Sequence, residues 1–492
     1  MAENGIRLRY AGFVIFLSRL ISIGTGLIFT LLITRSVSPE DYGVYGNLGD
    51  ILSCFTIIST IIPFWIVRFE ARRWPGSLKT GFIMNFLIGL ASTILYLLSV
   101  MGIISALRIN LDYMPAYLIA AVMIFESHLL SALEASLYPR RPEKIGFGLL
   151  VFEVSKVVLG ILSLYVFRMG LMGALLSVIF AYLCQAAFYA KLLLQGFKEK
   201  IRWGYVKEWL KASILNIYGI AGERLLILAN IFLFIHGGEL ARAYYGASSA
   251  IASIVAYSSS IAHALYPKLL SEVRSEDITL SLNLVLMFAM PMFFGAVVLS
   301  RELLSILNPV YIIAAPTLTI LALSSLVLST SSVFESVIIG TENFDVTAKI
   351  PFKSAFGSRL FLLLTLRYLQ ALIVLMPTYL MLSLFQLDGI SSTFYFALIS
   401  CVGQIVMMVA KFFVARSSIS FAIPWKNLVK YTCSSLVMAL GLYALSMPPR
   451  LAMTLLRVII GAIIYFAMLI VIDDEVRMIA RIVGKGAIRY LS

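Results

Sequence analysis

The sequence predicts an all-α polytopic membrane protein, and three observations support this fold class. The chain has 492 residues, of which 61% are hydrophobic and only 13% are charged, unlike a water-soluble domain. Apolar stretches of about 20 residues, long enough to cross a bilayer as helices, recur along the whole chain. The 39 Lys and Arg residues are concentrated in alternate links between these stretches, as expected for a multi-pass protein.

Fourteen transmembrane helices are predicted from the apolar stretches. They span residues 12–34, 43–67, 81–107, 114–137, 146–167, 170–190, 212–235, 243–267, 279–300, 310–340, 361–385, 390–410, 428–447 and 451–472. The first stretch is about twice as long as a signal-peptide core, so we expect a retained helix. The four cysteines all lie inside apolar stretches, which favours small core residues over disulfides or metal ligands. No cofactor and no metal site are predicted.

The distribution of cations predicts the orientation. The links after even-numbered helices, together with both termini, hold 28 of the 39 Lys and Arg residues, and five more lie inside helices. The opposite side holds Arg35, Arg108, Arg168, Arg242, Arg301 and Arg450. The positive-inside rule then places both termini in the cytoplasm of a protein of the cell membrane. The same bias explains the net charge of +14 better than nucleic-acid binding does.

The stretch "SVSPEDYGVYG", residues 36–46, becomes an external turn in this topology. Pro39 and the two acids close a water-exposed turn, and we expect Gly43 and Gly46 to let the second helix approach a neighbouring helix closely.

A basic, aromatic segment divides the chain. Residues 191–211 alternate cations with Trp and Tyr, which suits a linker lying on an anionic cytoplasmic membrane surface. A shift of 200 residues brings Tyr45-Gly46 onto Tyr245-Gly246, and Arg68 onto Lys268, which favours a parallel repeat of six helices. The predicted domains are an N-terminal lobe 1–190, the linker 191–211, a C-terminal lobe 212–416, and two extra helices with a tail, 417–492.

Two stretches resemble a known transporter family. The first helix is followed by "ITRSVSPEDYGVYGNLGDIL" and by the Arg-terminated "FWIVRFEARR", and the second half contains "ERLLILANIFLFIHGGELARAYYGASSAIASIVAYSSSIAHALYPKLLSE". These stretches are similar to polysaccharide-exporting flippases (Wzx-like) of the MOP superfamily. The resemblance implies two pseudo-symmetric six-helix lobes plus two C-terminal helices. It also implies translocation of a polyprenyl-(di)phosphate-linked oligosaccharide to the outer leaflet by alternating access.

Ionisable residues inside predicted helices are the candidate functional residues, because an unpaired charge there costs several kcal/mol. Glu153 and Lys156, three residues apart, are expected either to pair or to line a cavity. Asp50 and Glu223 are candidates for ion coupling or helix pairing. Four others lie near predicted helix ends and are expected to extend to the membrane surface, namely Arg367, Arg457, Glu134 and Glu335.

Arg19 and Arg224 are the strongest candidates for substrate binding, with Lys156 as a third. Arg19 has no acid three or four residues away, and Arg224 lies near the middle of its predicted helix. In the fold that the resemblance implies, both belong to the first helix of a lobe, which faces the central cleft. A guanidinium offers a lipid-linked phosphate a forked, permanently charged partner.

Short external links and the lack of a nucleotide-binding loop argue against a membrane enzyme and an ATP-driven pump. Every predicted external link has about ten residues or fewer, too short for a membrane glycosyltransferase or ligase, and the chain has no Gly-x-x-x-x-Gly-Lys loop for ATP hydrolysis. A non-enzymatic transporter driven by a Na⁺ or H⁺ gradient, by the membrane potential or by the substrate gradient fits best. A multidrug/cation antiporter of the same superfamily and a non-transporting membrane scaffold remain alternatives.

Overall fold

The computed structural model describes residues 2–194, 196–263, 265, 269, 274–341, 358–445, 447, 448, 450–474, 476 and 477. Every regular element in these residues is a helix, so the predicted fold class is confirmed. The chain forms two compact units. Unit 1 comprises Met1–Ala243 with Tyr379–Gly389, and unit 2 comprises Tyr244–Thr378 with Ile390–Ser492. Unit 1 extends beyond the predicted linker, and the four predicted domain ranges stay predictions.

The first half of the chain contributes ten α-helices. They are α1 (Ala2–Ser36), α2 (Pro39–Phe55), α3 (Ile61–Ala71), α4 (Ser77–Ala106), α5 (Met114–Leu137), α6 (Pro142–Gly160), α7 (Gly170–Leu193), α8 (Trp203–Ala212), α9 (Ile214–Leu225) and α10 (Ile227–Ala256). A π-helical segment, Ile161–Val166, continues α6.

The remaining described helices follow in the second half. They are α11 (Ser260–His263), α12 (Ser275–Val298), α13 (Ser300–Leu307), α14 (Ala315–Gly340), α15 (Arg359–Leu384), α16 (Gly389–Ser418), α17 (Trp425–Ala444) and α18 (Leu451–Ile472).

The number of apolar spans is smaller than predicted. The described residues contain 11 helices long and apolar enough to cross a membrane, or 12 if the bent pair of α2 and the segment Ile57–Ala71 is one span. Predicted helices seven and eight fall in one helical range of 44 residues, Asn216–Ser259. The thirteenth corresponds to α17, which is less apolar because it carries Lys426, Lys430 and a run of small polar residues.

The second predicted helix, 43–67, is broken: α2 ends at Phe55, a 3-10 turn spans Ile57–Thr60, and α3 begins at Ile61. Pro63, in the first turn of α3, has no backbone N–H to donate to the Ser59 carbonyl. That carbonyl instead accepts a hydrogen bond from Asn85 Nδ2 at 3.2 Å. The chain bends by 55° between α2 and the segment Ile57–Ala71.

The close approach predicted for the second helix is present, and its partner is α10. A Cβ at Gly43 would lie 1.9 Å from the backbone oxygen of Glu239, and one at Gly46 would lie 2.9 Å from the Arg242 guanidinium carbon. The opening glycine pair of α2 therefore lets two backbones meet where a side chain would separate them.

The predicted surface linker packs against unit 1 through one of its faces. Trp209 of α8 is fully buried, and its ring lies 5.2 Å from that of Phe69, which also stacks edge-on with Trp74 and Tyr205. In and before α8 the exposed residues include Lys198, Lys200, Arg202, Trp203 and Lys207. This two-faced packing suits an interfacial helix, while contact with anionic lipid stays a prediction.

Two ion pairs with at least one buried partner hold the two C-terminal helices, one between α18 and α13 and one between α17 and the end of α18. Arg457 of α18 is 5% exposed and bonds Glu302 of α13 at 2.8 Å and the Leu442 carbonyl at 2.8 Å. Lys430 lies 3.3 Å from Asp473, which is almost fully buried. The expectation that Arg457 extends to the membrane surface was wrong, because its charge is neutralised inside the protein.

Candidate functional site

A polar cluster joins α1 to α6 in unit 1. The Glu153 carboxylate accepts hydrogen bonds from Ser22 Oγ and Thr25 Oγ1, each at 2.6 Å, and lies 2.7 Å from Lys156 Nζ. We call Ser22, Thr25, Glu153 and Lys156 the α1–α6 cluster. Glu153 and Lys156 are 3% and 8% exposed, so of the two alternatives that their spacing left open, pairing and cavity lining, the buried pair is present.

Aromatic rings complete the surroundings of Lys156. Its ammonium lies 4.8 Å from the ring centroid of Phe152 and 5.5 Å from that of Phe29. A cation between aromatic faces gains electrostatic stabilisation in addition to its ion pair. Both charges of the cluster are thus compensated locally, as buried ions require.

Arg19 lies one turn before Ser22 on α1, and its side chain is exposed. Among the described residues it forms no ion pair, although its charge acts on the nearby Glu134 carboxyl of α5. Glu134 itself accepts hydrogen bonds from Gln185 and Tyr189 of α7. Glu134 was expected to extend to the membrane surface and is instead held by these two side chains.

A second cluster joins α2 to α10. Asp50 accepts from Arg242 Nε at 2.7 Å and from Asn230 Nδ2 at 3.1 Å, and the same guanidinium donates to the Gly46 carbonyl at 3.3 Å. The Asp50 and Arg242 side chains are both 11% exposed. We call Gly46, Asp50, Asn230 and Arg242 the α2–α10 cluster. The predicted topology assigned Arg242 to an external link, so its ion pair with Asp50 was not predicted.

Arg224 lies near the end of α9, within electrostatic range of Cys54 on α2. Its Nε is buried and has no hydrogen-bond partner among the described residues. The neighbouring Glu223 is exposed. Arg19 lies on α1 and Arg224 on α9, and no contact between them is found among the described residues.

Glu126 of α5 is a buried acid that belongs to the ionisable candidates inside predicted helices, although no individual role was predicted for it. It is 3% exposed, and neither carboxyl oxygen has a hydrogen-bond partner among the described residues. A carboxylate in an apolar stretch indicates a functional candidate, because ionisable residues are rare there. That pattern does not separate Glu126 from other interior acids, such as Glu153 and Glu335, that are ion-paired in the structure.

Unit 2 contains a separate charged cluster on α14, α15 and α16. Glu335 lies 2.7 Å from Lys411 Nζ and 3.4 Å from Arg367, all with partly or mostly buried side chains. Glu335 and Arg367 were expected to extend to the membrane surface, and they are instead ion-paired with each other. No group of three potential metal ligands occurs among the residues that the structure describes.

These helices define an all-α multi-pass membrane fold, and solved structures of transporters share it. A solved structure of "Lipid II flippase MurJ" in an inward closed conformation has the same fold, with a TM-score of 0.70, 14% sequence identity, and coverage of 93% of this chain and 98% of that chain. An inward-facing multidrug resistance MATE family transporter of the MOP superfamily matches with a TM-score of 0.58 and 13% identity, over 80% of this chain and 93% of that chain.

A MOP superfamily transporter from Pyrococcus furiosus matches with a TM-score of 0.53 and 13% identity, over 83% of this chain and 95% of that chain. No family model and no curated protein match the sequence. At these identities the likeness establishes the fold, and the substrate has to be inferred from the residues of this chain.

Proposed function

We propose that the protein is a flippase that moves a polyprenyl-(di)phosphate-linked oligosaccharide from the cytoplasmic to the outer leaflet by alternating access. The observation that carries this proposal is Arg224, a partly exposed residue whose buried Nε has no hydrogen-bond partner among the residues that the structure describes. An unsatisfied charged donor in apolar surroundings is costly, and a bound phosphate would remove that cost. The MurJ-like fold supports the same substrate class.

Arg19 and Arg224 are the proposed phosphate ligands, and Lys156 is an auxiliary one. Arg19 is exposed and carries no ion pair among the described residues, so it can bind an incoming anion without first breaking a contact. Lys156 has to rearrange its 2.7 Å contact with Glu153 before it can do so. The two arginines are therefore expected to contribute more to affinity than Lys156 does.

The acids have different expected roles. Asp50 is occupied by Arg242 and Asn230, which favours helix pairing over ion coupling. Glu153 holds α1 against α6 through two hydroxyls and is expected to keep Lys156 in place. Glu223 is exposed and remains the proposed candidate for coupling to Na⁺ or H⁺. Both termini and the linker are proposed to lie in the cytoplasm, on the side of the cation-rich links.

A multidrug/cation antiporter is the second candidate, and the unpartnered Glu126 is the observation that favours it. A transporter of cations needs a carboxylate that can exchange a bound proton or sodium ion for its substrate. The similarity of the fold to that of a multidrug resistance MATE family transporter supports this alternative.

The test is reconstitution in liposomes with a lipid-linked oligosaccharide and an impermeant probe that modifies glycan in the outer leaflet only. Arg224→Ala is expected to lose at least about 90% of the transport rate, since removing a buried charge-assisted contact costs about 1.5–3 kcal/mol. Arg224→Lys is expected to retain partial activity, because charge remains while the fork is lost. Arg450→Gln, an exposed cation, is the matched control.

Normal transport and normal substrate binding by both Arg19→Ala and Arg224→Ala would refute the phosphate assignment. Efflux of a cationic drug that disappears in Glu126→Gln while glycan transport is absent would establish the antiporter instead.

A further inference from the structure

An open cavity lined by residues of unit 2 lies beside the short helix α13, where α12 ends and α14 begins. Its volume is about 860 Å³, within the range of small-molecule sites. Its polar lining includes Ser300, Arg301 and Thr319, and its apolar lining includes Tyr244, Val310 and Ile313. Because α13 connects the ends of two apolar spans, this cavity lies at a membrane surface, which the cation count predicts to be the external one.

Helix α13 separates its two charges. Glu302 is directed into the protein, where it pairs with the buried Arg457 at 2.8 Å. Arg301 is exposed, lines the cavity, and has no ion pair among the described residues. Leu304 and Leu307 are buried, and Ser300, which is also buried, borders the cavity. The cavity therefore has a net positive lining beside the membrane.

Apolar side chains next to Arg301 are left uncovered. Val310 and Ile313, on the turn that follows α13, are 47% and 55% exposed. At a membrane surface, hydrocarbon chains of lipids can cover these exposed apolar side chains. Arg301 and the hydroxyls of Ser300 and Thr319 can donate hydrogen bonds to an anionic oxygen group. One molecule that carries both features is an anionic glycerophospholipid.

We propose that this cavity is a binding site for the phosphate headgroup of an anionic bilayer phospholipid, with Arg301 as its ligand and with Val310 and Ile313 contacting the acyl chains. The site is separate from Arg19 and Arg224, which belong to unit 1. Its occupancy requires no translocation and can be measured on the resting protein.

The experiment is native mass spectrometry of the detergent-purified full chain titrated with phosphatidylglycerol, with diacylglycerol of the same chains as the phosphate-free probe. The parent protein is expected to bind one phosphatidylglycerol that diacylglycerol does not replace. Arg301→Gln is expected to weaken this binding at least about tenfold, the loss of one charge-assisted contact. Arg450→Gln, an exposed cation on the same predicted side, should change it less than twofold.

Equal binding by the parent and Arg301→Gln would overturn the proposal, as would equal loss in Arg450→Gln, which would indicate unspecific charge attraction. Millimolar inorganic phosphate is expected not to displace the lipid. Complete displacement would show a site for free phosphate and would overturn the lipid assignment. Thermal unfolding of Arg301→Gln and of Arg301→Lys checks that the fold is intact, and Arg301→Lys should bind with intermediate affinity.

Discussion

Individual charged residues inside the two units are mostly neutralised by neighbours that lie far away in the sequence. Asp50 and Arg242 are 192 positions apart, and Glu302 and Arg457 are 155 apart. A buried ion whose partner is removed costs far more than the pair is worth. These pairs therefore specify which helices meet. Among the described residues they do not include Arg19, which is exposed, or Arg224, which is partly exposed.

The Asp50–Arg242 pair gives a prediction about coupling. Asp50→Ala and Arg242→Ala should each destabilise unit 1 by about 3–5 kcal/mol, because each leaves an uncompensated buried charge. The double variant should lose clearly less than the sum of the two. Chemical unfolding in detergent, followed by tryptophan fluorescence, measures all three. Additive losses would mean that the two side chains do not stabilise each other.

Single helices were predicted well where apolar length alone defines them and poorly where a contact interrupts them. The predicted ranges 114–137 and 451–472 coincide with α5 and α18. The predicted range 43–67 contains a break after Phe55 that apolar length does not show, and near it the Ser59 carbonyl accepts a hydrogen bond from Asn85 of α4. In the candidate site, the spacing of Glu153 and Lys156 revealed their pair, whereas Arg242 was missed because its partner is on a remote helix.

The contact between α2 and α10 allows a matched test of two glycines. Gly43→Ala places a Cβ against the Glu239 backbone oxygen, which cannot move as a flexible side chain would, so a loss of about 1–3 kcal/mol is expected. Gly49→Ala, on the same helix with nothing within 4 Å, should be neutral or stabilising by up to about 1 kcal/mol. Thermal unfolding compares them, and equal midpoints would contradict the close contact.

At the scale of the whole molecule, the number of crossings in Asn216–Ser259 determines the topology of everything that follows. A continuous helix of 44 residues would be about 66 Å long, roughly twice the 30 Å hydrocarbon core. Gly238 interrupts the helix with φ 76° and ψ −175°, in the left-handed region that favours glycine. Two crossings with a turn near Gly238 therefore agree with predicted helices seven and eight.

Cysteine labelling distinguishes the two topologies. Lys198 and Asp388 are both exposed, and the apolar helical ranges between them are Asn216–Ser259, Ser275–Val298, Pro309–Gly340 and Arg359–Leu384. If the first range crosses twice, the two positions lie on opposite sides of the membrane, and if it crosses once they lie on the same side. In a variant without native cysteines, we expect an impermeant thiol reagent to label Asp388→Cys in intact cells and Lys198→Cys only after permeabilisation. Labelling of both from one side would establish a single crossing and would reverse the predicted orientation of either the linker or the α15–α16 turn.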